Sequence, residues 1–261
     1  MRILFLGDVV GKPGRRAVAE AVPHLIGTAG LDFVVANCEN ATSGVGVDPR
    51  AASELLAAGV DVLTSGNHVW AKREIVPYIR DSDVLLRPAN FAPGTPGLGF
   101  TVKRSRAGVA VGVLNLIGRV FMGSFDCPFR AADAALESLR ARATVIFVDM
   151  HGEATSEKVA MGWHLDGRVS AVVGSHTHVQ TADDRVLPGG TAYLTDAGMC
   201  GPVDSVIGVK REQALQRFLT QMPIRFEVAS GPVLLQGAIL DIDESTGRAR
   251  GIRRVQQTLE V

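Results

Sequence analysis

The chain has 261 residues, 27 of them Lys or Arg and 27 Asp or Glu. A chain of this length buries roughly three quarters of its unfolded surface and needs no staple to fold, and a single domain across residues 1–261 is expected. Zero net charge offers no field for nucleic acid or a membrane surface, so stable nucleic-acid binding is not expected and a small substrate is.

The three cysteines, Cys38, Cys127 and Cys200, form no Cys-x-x-Cys pair, which favours a reducing cytoplasm. Asp8 interrupts the apolar start before a signal-peptide core develops, and no uncharged apolar run reaches the ~18 residues of a membrane span. A cytoplasmic protein without membrane attachment is expected.

Residues 3–6 form an apolar run suited to a strand covered on both faces, and Gly7-Asp8-Val9-Val10-Gly11 follows as its exit. Pro13 suits a helix's first turn, and Val18, Val22, Leu25 and Ile26 have amphipathic helical spacing, ending near Gly27 or Gly30. Residues 33–36 make a second buried strand, parallel to the first through a right-handed crossover. It delivers Asn37-Cys38-Glu39-Asn40, either an Asx-type turn or a supply of ligands.

Asp48 is a candidate N-cap with Pro49 in the first turn of a helix over 51–58. Residues 60–64 form the third strand, which leads to Ser65-Gly66-Asn67-His68-Val69-Trp70. Asn67 offers a neutral oxygen ligand, and His68 is either a further ligand or a proton donor. The pattern loosens over 75–90, and Pro88, Pro93, Gly94, Pro96, Gly97 and Gly99 mark a loop-rich passage.

Residues 100–103 and 109–116 read as strands, and residues 119–129 as an aromatic loop with Phe121, Met122, Phe125 and Phe129. Such a loop fills a core, closes over a substrate, or serves self-association into a homo-oligomer. A helix over 131–142 and a strand over 143–148 follow, ending in Asp149-Met150-His151-Gly152-Glu153. Asp149 and Glu153 either orient His151 or cap the next helix, 155–165, with Glu153 the better cap.

Residues 169–174 close the parallel series and run into Ser175-His176-Thr177-His178, whose i, i+2 spacing sends both imidazoles to one side if the backbone is extended. Residues 185–187, 192–194, 224–228, 233–242 and 249–255 read as strands of antiparallel meanders, giving the chain two sheet styles. Within Thr195-Asp196-Ala197-Gly198-Met199-Cys200, Asp196 is a candidate partner of a ligand histidine, and Cys200 either faces the site or fills the core.

Asp8, Glu39, Asn40, Asn67, His151, His176 and His178 thus follow apolar β-type runs, at the strand ends where open α/β sheets bind ligands. Seven candidates exceed the three protein ligands of a catalytic zinc and fit two metal ions. Imidazole and oxygen without sulfur suit iron, manganese or zinc. Two such ions about 3.5 to 4 Å apart turn a bridging water into hydroxide and clamp a phosphoryl group, so phosphoester hydrolysis is expected. His68 remains to protonate the leaving oxygen.

Asp8, Gly66-Asn67-His68, His151 and Gly174-Ser175-His176-Thr177-His178 resemble the motifs of the calcineurin-like metallophosphoesterase superfamily, with Ser175 standing between the glycine and the first histidine. Leu6-Gly7-Asp8-Val9-Val10-Gly11, Asn37-Cys38-Glu39-Asn40-Ala41, Ser65-Gly66-Asn67-His68-Val69-Trp70 and Thr195-Asp196-Ala197-Gly198-Met199 are similar to its YmdB-type branch. Val10 replaces the superfamily's usual histidine and Glu39 its usual aspartate, as in that branch, where Asn40 takes the lost histidine's place.

The resemblance implies an α/β sandwich of two central mixed sheets flanked by helices, in four layers α/β/β/α, and a di-iron or related dinuclear centre. It implies that Asp8, Asn40 and His178 hold one metal, that Asn67, His151 and His176 hold the other, that Glu39 bridges and that His68 is the proton donor. The implied substrates are 2',3'-cyclic nucleotides, opened at the 2' bond to leave 3'-nucleotides. Phosphomonoester or nuclease chemistry on the same site, or a non-catalytic regulatory or RNA-binding module, are the alternatives.

Overall fold

The computed structural model describes residues 1–260; Val261, the last residue of the expected domain, lies outside the described residues. In chain order the elements are β1 (Arg2–Leu6), β2 (Asp8–Val9), α1 (Gly11–Ala29), β3 (Phe33–Asn37), α2 (Pro49–Ala57), β4 (Val62–Thr64) and α3 (Ile75–Asp81). There follow β5 (Phe100–Arg104), β6 (Ala110–Ile117), α4 (Pro128–Arg140), β7 (Val145–His151), α5 (Thr155–Leu165) and β8 (Ala171–Ser175). The remainder is β9 (Arg185–Val186), β10 (Ala192–Leu194), β11 (Met199–Pro202), α6 (Arg211–Thr220), β12 (Val233–Ile242) and β13 (Ala249–Leu259).

The strands form two mixed sheets. One runs β2-β11-β12-β1-β3-β4 with β13 added on β12, and the other runs β5-β6-β7-β8-β10-β9. β1, β3 and β4 are mutually parallel, as are β6, β7, β8 and β10, whereas β12 enters antiparallel beside β1. All the parallel strands of each series therefore point their carboxyl ends the same way.

The near-continuous apolar strands divide their side chains by alternation. Ile3, Phe5, Phe33 and Val35 meet Val113, Phe147 and Val173 between the sheets. Leu4, Leu6, Val34 and Ala36 turn outward onto Val18 and Val22 of α1 and Leu55 of α2. On the far side Leu114, Val148 and Met150 pack on Leu136 of α4 and Met161 of α5. The layers are thus helix, sheet, sheet, helix, as the resemblance implies.

Local signals act as expected at several termini. Gly30 ends α1 in the left-handed region, and the Asp48 carboxylate accepts from Ala51 N at 2.8 Å to cap α2. Elsewhere the tertiary setting prevails. Residues 224–228 alternate like a strand but gain one isolated bridge, Val209 to Val228, because no neighbouring strand offers a full register. β10 pairs antiparallel with β9 as expected but also runs parallel to β8 on its other edge, and β11 arises within a Gly-Pro segment because β2 and β12 flank it.

Phe5 and Phe147, both fully buried, face each other across the sheets with ring centroids 4.9 Å apart. Phe147→Ala should cost about 3–5 kcal/mol, since it removes a large ring from a rigid two-sided core. Urea unfolding followed by circular dichroism checks this; a loss under about 1 kcal/mol would mean that the sheets close over the gap.

Candidate metal centre

The alternation that buries apolar residues between the sheets continues past the last of them. Val35 is followed on the same face by Asn37, Val62 by Thr64, Phe147 by Asp149 and His151, and Val173 by Ser175, all fully buried. These polar groups meet around Asp149. Its carboxylate accepts from Thr64 Oγ1 at 2.5 Å, Asn37 Nδ2 at 3.1 Å and Ser175 Oγ at 2.6 Å. Burial pushes its carboxyl up to about 6.

Ser175 Oγ also lies 2.9 Å from His151 Nδ1. One imidazole nitrogen is thus engaged by the network, which orients the other. His151 Nε2 stands 3.1 Å from Glu39 Oε1, 3.2 Å from Asn67 Oδ1 and 3.0 Å from His176 Nδ1.

Asp8 heads β2, with its Oδ1 4.0 Å from His151 Nδ1. Its Oδ2 accepts from His176 N at 2.9 Å, and its buried Oδ1 has no hydrogen-bond partner. His178 Nε2 is 3.7 Å from that Oδ1 and 3.1 Å from Asn40 Nδ2. Glu39 Oε2 accepts from His68 N at 3.0 Å, and the His68 Nδ1 is 3.0 Å from Asn40 Oδ1. The eight residues singled out in the sequence therefore meet in one place.

The backbone route of the two last histidines differs from expectation. β8 ends at Ser175, and His176 and His178 have φ of 100° and 64°, so they project from a left-handed loop rather than from an extended strand end. The loop is pinned through its middle residue. Thr177 N and Oγ1 donate to Asp196 Oδ2 at 3.1 and 2.8 Å, and buried Lys158 donates to the same oxygen at 2.8 Å.

Asp196 thus holds the loop and, among the described residues, bonds no histidine. Glu153 does not cap α5, whose N-cap is Ala154; its Oε2 lies 3.1 Å from His176 Nε2. Cys200 Sγ is buried and donates to Gln236 O at 3.5 Å, within the outer core rather than facing the ligands.

Glycine at position 66 is obligatory for space. A Cβ there would overlap His151 Nε2 and Glu39 Oε2, so the Asn67-His68 turn can pass directly over the carboxylate only without a side chain.

The electrostatics favour cations. Among the described residues the buried Asp8 and Glu39 carboxylates are within ion-pair distance only of imidazoles, with no Lys or Arg. Burial opposes ionisation of Glu39, yet His151 and His68 hold it well below the usual carboxylate range. For Asp8 burial prevails over His178 and His151 and raises it. Burial would lower His151, but Glu39 beside it pushes it up to about 9. Burial and the adjacent His151 take His176 down to about 3.

Ligand atoms of Glu39, His151 and His176 all lie within 4.8 Å of one another. Two carboxylates, two amides and three imidazoles without a thiolate, with one carboxylate oxygen buried and unpartnered, are a donor set that fits divalent metal ions.

A two-sheet α/β sandwich carrying oxygen and nitrogen donors at its parallel strand ends is the calcineurin-like phosphoesterase fold. The calcineurin-like phosphoesterase YfkN from Bacillus subtilis superimposes with a TM-score of 0.58 over 99% of this chain and 90% of that one, at 12% identity. The chain belongs to the family of YmdB-like proteins, whose sequence profile matches residues 4–255. It is similar to the 2',3'-cyclic-nucleotide 2'-phosphodiesterase of Bacillus subtilis (strain 168), with 50% identity over 255 residues, 98% of this chain and 96% of that protein. A crystal structure described as a novel phosphatase from Mycoplasma pneumoniae superimposes with a TM-score of 0.92 at 32% identity, over 100% of this chain and 94% of that one.

Gly66→Ala should abolish metal uptake while leaving the fold intact, because the added methyl displaces His151 and Glu39 but touches little of the inter-sheet core. Elemental analysis beside circular dichroism tests this; full metal content in the variant would place the ions elsewhere. The proton on His151, held to about pH 9 in the metal-free protein, competes with metal. Apparent metal affinity should therefore rise by about tenfold per pH unit between about pH 7 and 9 and then level off, measurable by chelator competition.

Proposed function

We propose that the chain is a metal-dependent phosphodiesterase that opens 2',3'-cyclic nucleotides at the 2' bond and leaves 3'-nucleotides. The observation that carries this is the meeting of Asp8, Glu39, Asn40, Asn67, His151, His176 and His178 around one buried carboxylate, in a chain 50% identical to a 2',3'-cyclic-nucleotide 2'-phosphodiesterase. Asp8, Asn40 and His178 would hold one ion and Asn67, His151 and His176 the other, with Glu39 shared. Iron, manganese and zinc all suit these donors. Two bound cations supply Lewis acidity toward the phosphoryl oxygens and a nucleophilic oxygen drawn from water.

The chain's own groups do the rest. Asn37, Ser175 and Asp149 fix which nitrogen of His151 faces the centre. His68 stands at the edge, half-buried, with its pKa raised chiefly by a hydrogen bond to Glu39. That shift favours its protonated form, and its exposed side can deliver a proton to the departing 2' oxygen. Attack opposite the 2' oxygen and protonation of that oxygen by His68 together account for a 3'-phosphate product.

The three cysteines are free, which supports a reducing, cytoplasmic setting. Among the described residues no helix is long and apolar enough to cross a membrane. β12, from late in the chain, sits beside β1 in the sheet that carries Asp8 and Glu39, which supports one domain from end to end.

His68→Ala should lower kcat on 2',3'-cAMP by about 10²- to 10⁴-fold with metal content unchanged. Chromatographic product analysis should find 3'-AMP from the unmodified enzyme. Equal turnover by both proteins would remove His68 from the chemistry, and 2'-AMP as the product would reverse the assigned bond. Preference for phosphomonoesters across a substrate panel would favour the phosphatase reading instead.

A further inference from the structure

The loop between β6 and α4, residues 118–127, has both its ends tied to the metal centre. At one end Gly118 N donates to the carbonyl of His151 at 2.8 Å. Next to it, Arg119 N donates to both oxygens of the Glu157 carboxylate at 3.0 Å, and Val120 N to one of them at 3.3 Å. Glu157 is buried and, among the described residues, has no cationic partner. Its charge is satisfied by loop amides, an arrangement that fixes the backbone there.

At the other end Phe125 stacks on Phe91, centroids 5.2 Å apart and planes within 10°. Phe91 in turn packs on Trp70 at 6.2 Å, two residues beyond His68. The loop thus spans from the His151 side of the centre to the His68 side.

Phe121 lies between these anchors and behaves unlike the loop's other rings. Phe125 is stacked, and Phe129, which opens α4, lies edge-on to His164. Phe121 enters no ring pair among the described residues, is 89% exposed, and has a φ of 63°. A phenylalanine rarely adopts that backbone, and its ring gains nothing for folding in water. Of the readings open for this loop, core filling fails for Phe121. An outlier of this kind, directly after two residues held by a buried carboxylate beside a candidate catalytic centre, calls for a ligand that wants an aromatic face.

The geometry points to Phe121 as the platform on which the substrate's nucleobase stacks. This rests on the cyclic-nucleotide reading above and adds to it where the base sits. A 2',3'-cyclic nucleotide carries its base one ribose away from the phosphorus, so the base platform belongs at the rim and not on the buried floor. Phe121 is three residues past Gly118, which bonds His151, and at about 3.5 Å per residue its Cα is within about 11 Å of that anchor. An aromatic face accepts any base through its π-surface, so purines and pyrimidines should both be substrates.

Steady-state kinetics of the metal-loaded enzyme with 2',3'-cAMP and with base-free ribose 2',3'-cyclic phosphate test this. Phe121→Ala should raise KM for 2',3'-cAMP by about tenfold with much less change in kcat. The KM for the base-free ester should move far less, and Phe121→Trp should restore the KM for 2',3'-cAMP. An unchanged KM for 2',3'-cAMP, or an equal rise for both esters, overturns the platform. Should the unmodified enzyme turn over no cyclic nucleotide, the proposed function fails instead. Equilibrium binding of 3'-AMP then reads the platform, and equal affinity in the unmodified protein and Phe121→Ala overturns it.

Discussion

Two buried carboxylates with no Lys or Arg within ion-pair distance among the described residues are the constraint around which this molecule is arranged. Removing Asp8 and Glu39 from water costs several kcal/mol each unless an opposite charge comes in with them. Besides His68, only His151 and His178 stand within ion-pair distance of them among the described residues, and His176 nearby cannot meet that need as a cation, because burial and the neighbouring His151 keep it neutral. A pair of divalent ions can. Ions held there would offset that cost, and the surrounding fold has to supply rigidity against the mutual repulsion of the two anions.

That rigidity comes from two polar braces under the site. Asp149, between the sheets, collects hydrogen bonds from β3, β4 and β8 through Asn37, Thr64 and Ser175. Strands of both sheets are tied by one carboxylate, and Ser175 passes its orientation to His151. Lys158 and Asp196 form the second brace, a buried ion pair that grips Thr177 and so sets the separation of His176 from His178. Both braces are buried, and both decide where ligand atoms stand, within tolerances that metal coordination requires.

Much of this is readable in the chain itself. Apolar runs that end in Asp8, Glu39, Asn67, His151 and His176 reveal both the parallel strands and the end at which they deliver chemistry. The braces are legible only with one further step, a count by twos from the buried apolar residues, which lands on Asn37, Thr64, Asp149 and Ser175. Lys158 has no such signal, since a lysine on an amphipathic helix ordinarily points to water. The left-handed turns at His176 and His178 are hidden as well, because only Gly or Asn announces a positive φ. α6 escapes detection for the opposite reason: it buries only Ala214 and exposes Leu215, Phe218 and Leu219, so its apolar residues do not mark an inner face.

The serine between Gly174 and His176 shows how one residue redirects the site. Adding it lets β8 run one place further, so that the inner-facing position after Val173 falls to Ser175, which bonds both Asp149 and His151. Had a histidine stood there, its ring would fill the space between the sheets that Asn37 and Asp149 occupy. Gly174, on the outer face, must then lack a side chain, because a Cβ would overlap Thr195 O and crowd the Lys158 stem at 2.7 Å. The glycine admits the lysine, the lysine holds Asp196, and Asp196 holds the threonine between the two histidines. A small residue followed by a hydroxyl thus converts a strand end into a clamped loop, whose left-handed backbone carries both imidazoles to the carboxylates that need them.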